Sequence, residues 1–386
     1  MAVKKTIDKN LNSRVALNHI KIDALPSTIF AGEQSVVPYG IDNNYPTRII
    51  NTIKKSPTAK GCIKRTAEFI FGDGLAEGGD IVVNRNGETL NDVTEQTVQN
   101  LVELGGFVWH VNINALGQIC ELFAFSAEYF RKTTSLQCVQ FGIWDKANQA
   151  LFTHDYITID MYGGVEAVNK VKGGLFAEYN GQVIFYTKRN EIYPTAPLDS
   201  SIISAAYERE AQTYTYANIQ NGFSGNTIVK NYTMLQGGGN DDGSTQTMQT
   251  NIENMSGASR AGSTLVVPMP MNMNAEAKPV QLVEHLSPTN IDGLFVNQNV
   301  KAERDILKEF NMPGELIGAQ TETAFSSTSY NEAWNMKNED VQGDRNIIER
   351  ELNKILPNSC FGITEAELVR MEMKGGNDKQ SRNDFG

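Results

Sequence analysis

Residues 301–318 run Lys301-Ala-Glu-Arg-Asp-Ile-Leu-Lys-Glu-Phe-Asn-Met-Pro-Gly-Glu-Leu-Ile-Gly318, and the parsing of this stretch decides the fold. Ala302, Ile306 and Phe310 continue the helical spacing of Ile291, Leu294 and Phe295, so a long helix is expected over Pro288–Phe310. Met312-Pro313-Gly314 stops it, because proline lacks the amide that a helix interior needs. A polar loop over 319–328 follows. A further long helix is expected over Ser329–Leu356, where Trp334, Val341, Ile348 and Ile355 fall seven apart and Leu352 joins their face. Upstream, Thr227–Leu235, Ser263–Pro268 and Val280–Leu286 have strand character. Between the first two lies Gln236–Gly262, acidic and rich in Gly, Ser and Thr, with a short helix expected at Thr245–Met255. Before these strands, Ser200–Gln220 contains no Gly or Pro and ends at Asn221-Gly222, which predicts one helix. Its apolar stripe is weak, as in helices that pack against copies of themselves or between neighbours.

The first half has a different pattern. Helical spacing runs from Tyr45 to Phe71, divided at Ser56-Pro57, and a third helix is expected at Asp92–Leu104. Strands are expected at Phe107–Ile113, Cys120–Ser126, Cys138–Trp144, Tyr156–Met161 and Val183–Thr187, giving an α+β body with a mostly antiparallel sheet. Residues 1 to 40 lack a clear period and suggest an arm ordered by contact with something else, and residues 377–386 suggest a polar, disordered tail.

Composition excludes several classes. The chain has 386 residues, 40% hydrophobic and 20% charged, as in soluble globular proteins with two or more sub-domains. With 34 basic and 45 acidic residues the formal charge is -11, the wrong sign for a protein that grips phosphates. The first 72 residues are nevertheless net basic, and the acidic excess lies beyond them. Cys62, Cys120, Cys138 and Cys360 are irregularly spaced and are expected to be reduced core thiols. None of the four histidines lies three or four residues from another His or a Cys, so no metal or other cofactor is expected. No apolar stretch approaches the length of a membrane span or a signal sequence, so no membrane partner is expected and the sequons at Asn231 and Asn254 are expected to stay unmodified. There is no phosphate-binding G-x-x-x-x-G-K-[ST] motif. Gly222-Phe-Ser224-Gly225 is one residue short of a nucleophile elbow and follows a helix instead of a strand. Glu208/Glu210 and Glu349/Glu351 stand two apart on helices and diverge, so no catalytic residues are expected.

The order of elements resembles the portal proteins of tailed bacteriophages, of the shorter, head-to-tail connecting class. Tyr193-Pro-Thr-Ala-Pro-Leu-Asp-Ser-Ser-Ile202 is similar to that family's approach to its first long helix. Residues 301–318 resemble its arginine-bearing helix followed by phenylalanine, proline and a Leu-(Leu/Ile)-Gly ending. Asn331-Glu332 and Ile347-Ile-Glu-Arg-Glu-Leu-Asn353 resemble its long helix. The insertion 236–262 is longer and more acidic than the family pattern, which leaves its role open.

The resemblance implies a portal-type fold: an N-terminal arm (1–44), an α/β wing (45–195), a first stem helix (196–223), a clip (224–287), a second stem helix (288–312), a tunnel-loop region (313–328), a long wing helix (329–356) and a short crown with a disordered tail (357–386). It implies no enzyme but a ring, typically of twelve subunits, at one capsid vertex of a virion, assembled in the bacterial cytoplasm. Double-stranded DNA would pass through the ring during packaging and ejection. The implied partners are the terminase large subunit, the major capsid protein and a head–tail adaptor. The implied tunnel loop is Gln320, Thr321, Glu322, Thr323, Ala324, Phe325, Ser326 and Ser327. Lys301, Glu303 and Lys308 would line the stem, and Asn240, Asp241, Asp242, Met269, Met271 and Met273 would face the terminase from the clip. The excess of acids over bases between Pro288 and Ser326 suits a conduit that does not hold DNA. Another head–tail connector or capsid-vertex protein fits the same pattern, and a cytoplasmic hydrolase using Ser224 is the remaining alternative.

Overall fold

A computed structural model of the chain describes residues 36–133, 138–142, 157–163, 179–188, 191–220, 226–233, 264–270, 283–286, 291–318 and 327–373, with a few single residues between. These fall into two compact units, a larger one drawn from residues 23–206 and 301–386 and a smaller one from 207–300. The divisions fall within two helices.

In the larger unit, α1 (Tyr45–Ile53) and α2 (Pro57–Phe71) are separated where Ser56 accepts the Ala59 amide at 3.1 Å and Pro57 takes the first helical position. After β1 (Gly74–Leu75), α3 (Leu90–Leu104) opens with a capping box: Thr89 Oγ1 accepts from Asp92 N at 3.2 Å and Asp92 Oδ2 accepts from Thr89 N at 2.8 Å. Six strands follow: β2 (Gly106–Ile113), β3 (Ile119–Phe125), β4 (Phe130–Lys132), β5 (Cys138–Phe141), β6 (Ile157–Met161) and β7 (Gln182–Thr187). They form one sheet in the order β3-β2-β7-β6-β5-β4, antiparallel except at β6–β7. Helix α3 packs on β2 and β3, and there the Trp109 indole donates to Thr97 Oγ1 at 2.7 Å.

The segment 36–44, assigned from sequence to an arm, is part of this body. Val36 bridges Thr133 and Val37 N donates to Lys132 O at 2.8 Å, covering the β4 edge of the sheet. Tyr39 stacks on Tyr193 at 4.3 Å and on Tyr45 at 5.3 Å, and its hydroxyl donates to Pro194 O at 2.5 Å. The Arg131 guanidinium is fully buried between the Tyr39 and Trp144 rings and donates to Asn43 Oδ1 and to the Asn43, Glu128 and Phe130 carbonyls. Sequence reasoning missed this cluster because its parts are far apart in the chain.

Tyr193 ties the cluster to the sheet: its hydroxyl donates to Val37 O at 2.6 Å and accepts from Lys132 N at 2.7 Å. Tyr193→Phe strands both groups and should cost about 1–3 kcal/mol in thermal unfolding. Burial raises the Tyr39, Tyr45 and Tyr193 hydroxyls above their ordinary value of 10.0. Above about pH 10 the unfolded chain therefore releases these protons while the folded chain keeps them, so stability should fall as pH rises further. The fall should be shallower in Tyr193→Phe.

The smaller unit contains most of α4 (Ile202–Gln220), β8 (Asn226–Thr233), β9 (Thr264–Pro270), β10 (Val283–Leu286) and the first part of α5 (Ile291–Glu309). Its sheet order is β10-β8-β9, with β8–β9 parallel and β10–β8 antiparallel. This pairing explains the long insertion. Parallel neighbours cannot be joined by a tight turn and need a connection of about a dozen residues or more. Pro268 and Pro270 sit in β9, an edge strand, where a missing amide breaks no inner ladder.

The chain then returns to the larger unit through α6 (Gly314–Ile317), α7 (Ser327–Asp340) and α8 (Gln342–Ile355). The single helix expected over 329–356 is thus two. The interruption is one residue, Val341, still in the right-handed helical region and followed closely by Gly343, a weak helix former. The expected face is buried on both sides of it: Trp334, Val341, Ile348, Leu352 and Ile355 all lie in the core. Residues 357–373, assigned to a crown and tail, also belong to this body. Their strand β11 (Leu368–Val369) pairs antiparallel with β1, and Ala366 and Leu368 are buried. Gly72 permits this, since its φ is +63° and any side chain there would strike the Val369 carbonyl.

Candidate functional site

The connection between α6 and α7 carries the largest single group of residues singled out from sequence. Gln320, Thr321, Glu322, Thr323, Ala324, Phe325 and Ser326 lie outside the described residues, whereas Ser327, taken from sequence as loop, is the first residue of α7. What the structure describes is the frame that holds the two ends of that connection.

On the incoming side α5 ends at Glu309 and the chain turns through Asn311, whose φ is 45°, into Pro313 and α6. The turn is fastened by α7. Lys337, only 1% exposed, donates from Nζ to Phe310 O at 2.6 Å and to Asp340 Oδ2 at 2.7 Å. Asp340 Oδ1 in turn accepts from Asn311 Nδ2 at 3.1 Å. A cation placed on the last carbonyls of a helix answers both their unsatisfied lone pairs and the helix dipole. Phe310, Met312 and Leu316 are buried, and Gly318 closes α6 in the left-handed conformation at φ 72°.

On the outgoing side α7 rests on α2. Trp334 meets Phe69 edge-on at 4.7 Å, Tyr330 lies beside it at 6.0 Å, and the Arg65 guanidinium lies over both the Phe69 and Trp334 rings. Arg345 repeats on α2 what Lys337 does on α5. It is buried, and donates from Nε to Ile70 O at 3.1 Å and from Nη2 to Phe69 O and, at 3.0 Å, to Asn338 Oδ1. Two buried cations on neighbouring helices therefore cap the C-termini of two other helices. Neither was singled out from sequence, although both stand within the apolar spacing of 334, 341, 348 and 352, where a basic residue is out of place unless it has a buried acceptor.

The proposed stem residues lie on the last turns of α5. Lys301 and Lys308 are exposed and Glu303 is half-buried, while Ala302, Ile306 and Phe310 form the buried face. Arg304 is exposed too, so the outer edge of the helix over 301–308 is basic, with Glu303, Asp305 and Glu309 on its half-buried flanks. A bare charge count misses this because it ignores which side of the helix each residue occupies. Ser200, just before α4, donates its hydroxyl to Glu309 Oε2.

Of the residues expected to face a partner from the small sheet, Met269 lies in β9, and Asn240, Asp241, Asp242, Met271 and Met273 are outside the described residues, as is Ser224. Among the described residues no group of three or more His, Cys, Asp or Glu gathers to hold a metal ion, and no helix is long and apolar enough to cross a membrane.

No protein-family model and no curated protein matches the chain. Solved structures do. A chain of the virion of a native gene transfer agent particle superposes with TM-score 0.53 and 13% identity, covering 88% of this chain and 86% of that one. A chain in the neck of the native particle, computed with C12 symmetry, superposes with TM-score 0.51 and 14% identity over 84% of each. The chain has the fold of a virion neck component. The neck of the empty particle, computed with C6 symmetry, contains a further match at TM-score 0.50 and 13% identity over 83% of each chain.

Proposed function

We propose that the chain is the subunit of a phage-type portal: a ring of twelve copies at one vertex of a virion, through which double-stranded DNA passes. The observation that carries this reading is the fold shared with a virion chain over 88% of this chain and with a chain of a neck computed with C12 symmetry over 84% of it. The order of elements around residues 301–318 points the same way independently.

In this reading the larger unit is the wing, α4 and α5 are the stem helices, and the three-stranded sheet with its long β8–β9 connection is the clip that meets the terminase large subunit and later a head–tail adaptor. The major capsid protein would surround the wing. Residues 320–326 are the tunnel loop, a small polar segment with one charge, Glu322, and one bulky apolar residue, Phe325. Such a loop can touch a moving duplex without reading base edges. The basic edge at Lys301, Arg304 and Lys308 can meet phosphates in passing, and the acids beside it weaken any lasting hold. The role is structural and has no catalytic step.

Imaging of the purified protein by negative stain, with mass measurement in solution, tests the reading. Closed rings with a central opening wide enough for a duplex are expected. A monomer at every salt concentration tried would count decisively against it.

A further inference from the structure

Cys120 and Cys360 contradict the expectation that all the cysteines are core thiols: Cys62 is buried, but Cys120 is only partly covered and Cys360 is exposed. Although 240 positions apart in the chain, their sulfurs are 3.3 Å from each other. The backbone holds them there. Ile119 at the start of β3 forms a parallel bridge with Ser359, and Cys360 N donates to Ile119 O at 2.8 Å. The cysteines are the next residue on each side of that bridge. Chains bridged in this way run about 4.7–4.9 Å apart, inside the roughly 4.4–6.8 Å separation of α-carbons that a disulfide spans. Asn358 Nδ2 donates to Gly117 O at 3.1 Å and Asn114 Nδ2 to Cys360 Sγ at 3.5 Å, so polar contacts fix both sides of the pair.

We propose that Cys120 and Cys360 are a reversible disulfide site, closed by a small-molecule disulfide such as oxidised glutathione, which fastens residues 356–360 to the β3 edge of the six-stranded sheet. The exposed Cys360 thiolate attacks the glutathione disulfide, forms a mixed disulfide and releases one reduced glutathione. The Cys120 thiolate then attacks Cys360 Sγ, the protein disulfide forms, and the second glutathione leaves as a thiol. Two protein thiols are oxidised, one glutathione disulfide is reduced, and the two protons end on the glutathione thiols. Burial, followed by the contact with Cys360, raises the Cys120 thiol above its ordinary value, so Cys120 is disfavoured as the first attacker, and its second step relies on the 3.3 Å proximity of the two sulfurs. The site does not depend on the portal reading, because it lies within one chain.

The test uses the full-length protein incubated with oxidised glutathione, alkylated and digested without reduction. A peptide linking Cys120 to Cys360 is expected, with two fewer titratable thiols per chain and a melting temperature several degrees above that of the reduced protein. Cys120→Ser should instead stop at a glutathione adduct on Cys360 and show no such rise. Wild-type protein in which both thiols stay free, or in which each carries its own glutathione, overturns the proposal. A crosslink without a rise in melting temperature overturns the fastening role.

Discussion

Deletion of residues 320–326 is expected to leave ring assembly intact and to abolish packaging or retention of DNA. The expectation rests on where the anchors lie. Lys337 on Phe310, Asp340 on Asn311, the buried Leu316 and the Trp334–Phe69 contact all lie outside the deleted segment, so the frame does not need it. Replacing the same residues with glycine and serine at equal length separates loss of the side chains from a shortened connection, and should give the same empty particles. The readouts are ring formation by imaging and encapsidated DNA measured after nuclease treatment. If rings fail to form in both variants, the segment is a subunit interface. If both package normally, it does not line the channel.

Trp334→Ala should destabilise the larger unit by about 3–5 kcal/mol, the usual cost of removing a buried aromatic ring. The ring is 9% exposed, and it forms the edge-on pair with Phe69 and lies beneath Arg65. Its loss takes away an aromatic pair worth about 0.5–1.5 kcal/mol and a cation–π contact of about 0.5–1 kcal/mol or more, as well as packing. Thermal or denaturant unfolding measures the change, and an unaltered midpoint would show that Trp334 does not pack in the core. The consequence should reach further than stability. Trp334 seats α7 on α2, and α7 carries Lys337, so a loosened α7 also loosens the turn at Phe310–Pro313.

The local part of this architecture was legible in the sequence. Ser56-Pro57 divides the first two helices, and Pro313-Gly314 ends a helix that does stop just before it. Five strands of the six-stranded sheet were expected from β-branched and aromatic runs, and the face Trp334–Ile355 was expected from its spacing. What was not legible depends on distant partners. The two-residue strands β1 and β11 have no period to detect and exist only because they pair. Val37 and Tyr39 are core residues only because Tyr193 and Arg131 come to meet them. Lys337 and Arg345 look like surface charges until the carbonyls of Phe310 and Phe69 lie against them. The break at Val341 was missed because the apolar spacing runs through it unchanged.

The Arg345 contact also bears on timing. Its acceptor at Ile70 is 275 positions earlier in the chain, and the smaller unit lies in the sequence between them. During synthesis α2 therefore leaves the ribosome with its last carbonyls uncapped, and they remain so until the whole smaller unit and α7 have also emerged. Contacts of such long range form late and slowly. A nascent chain of this design cannot complete its larger unit until α8 has emerged, and until then the surface that α8 will cover stays open to unwanted contacts.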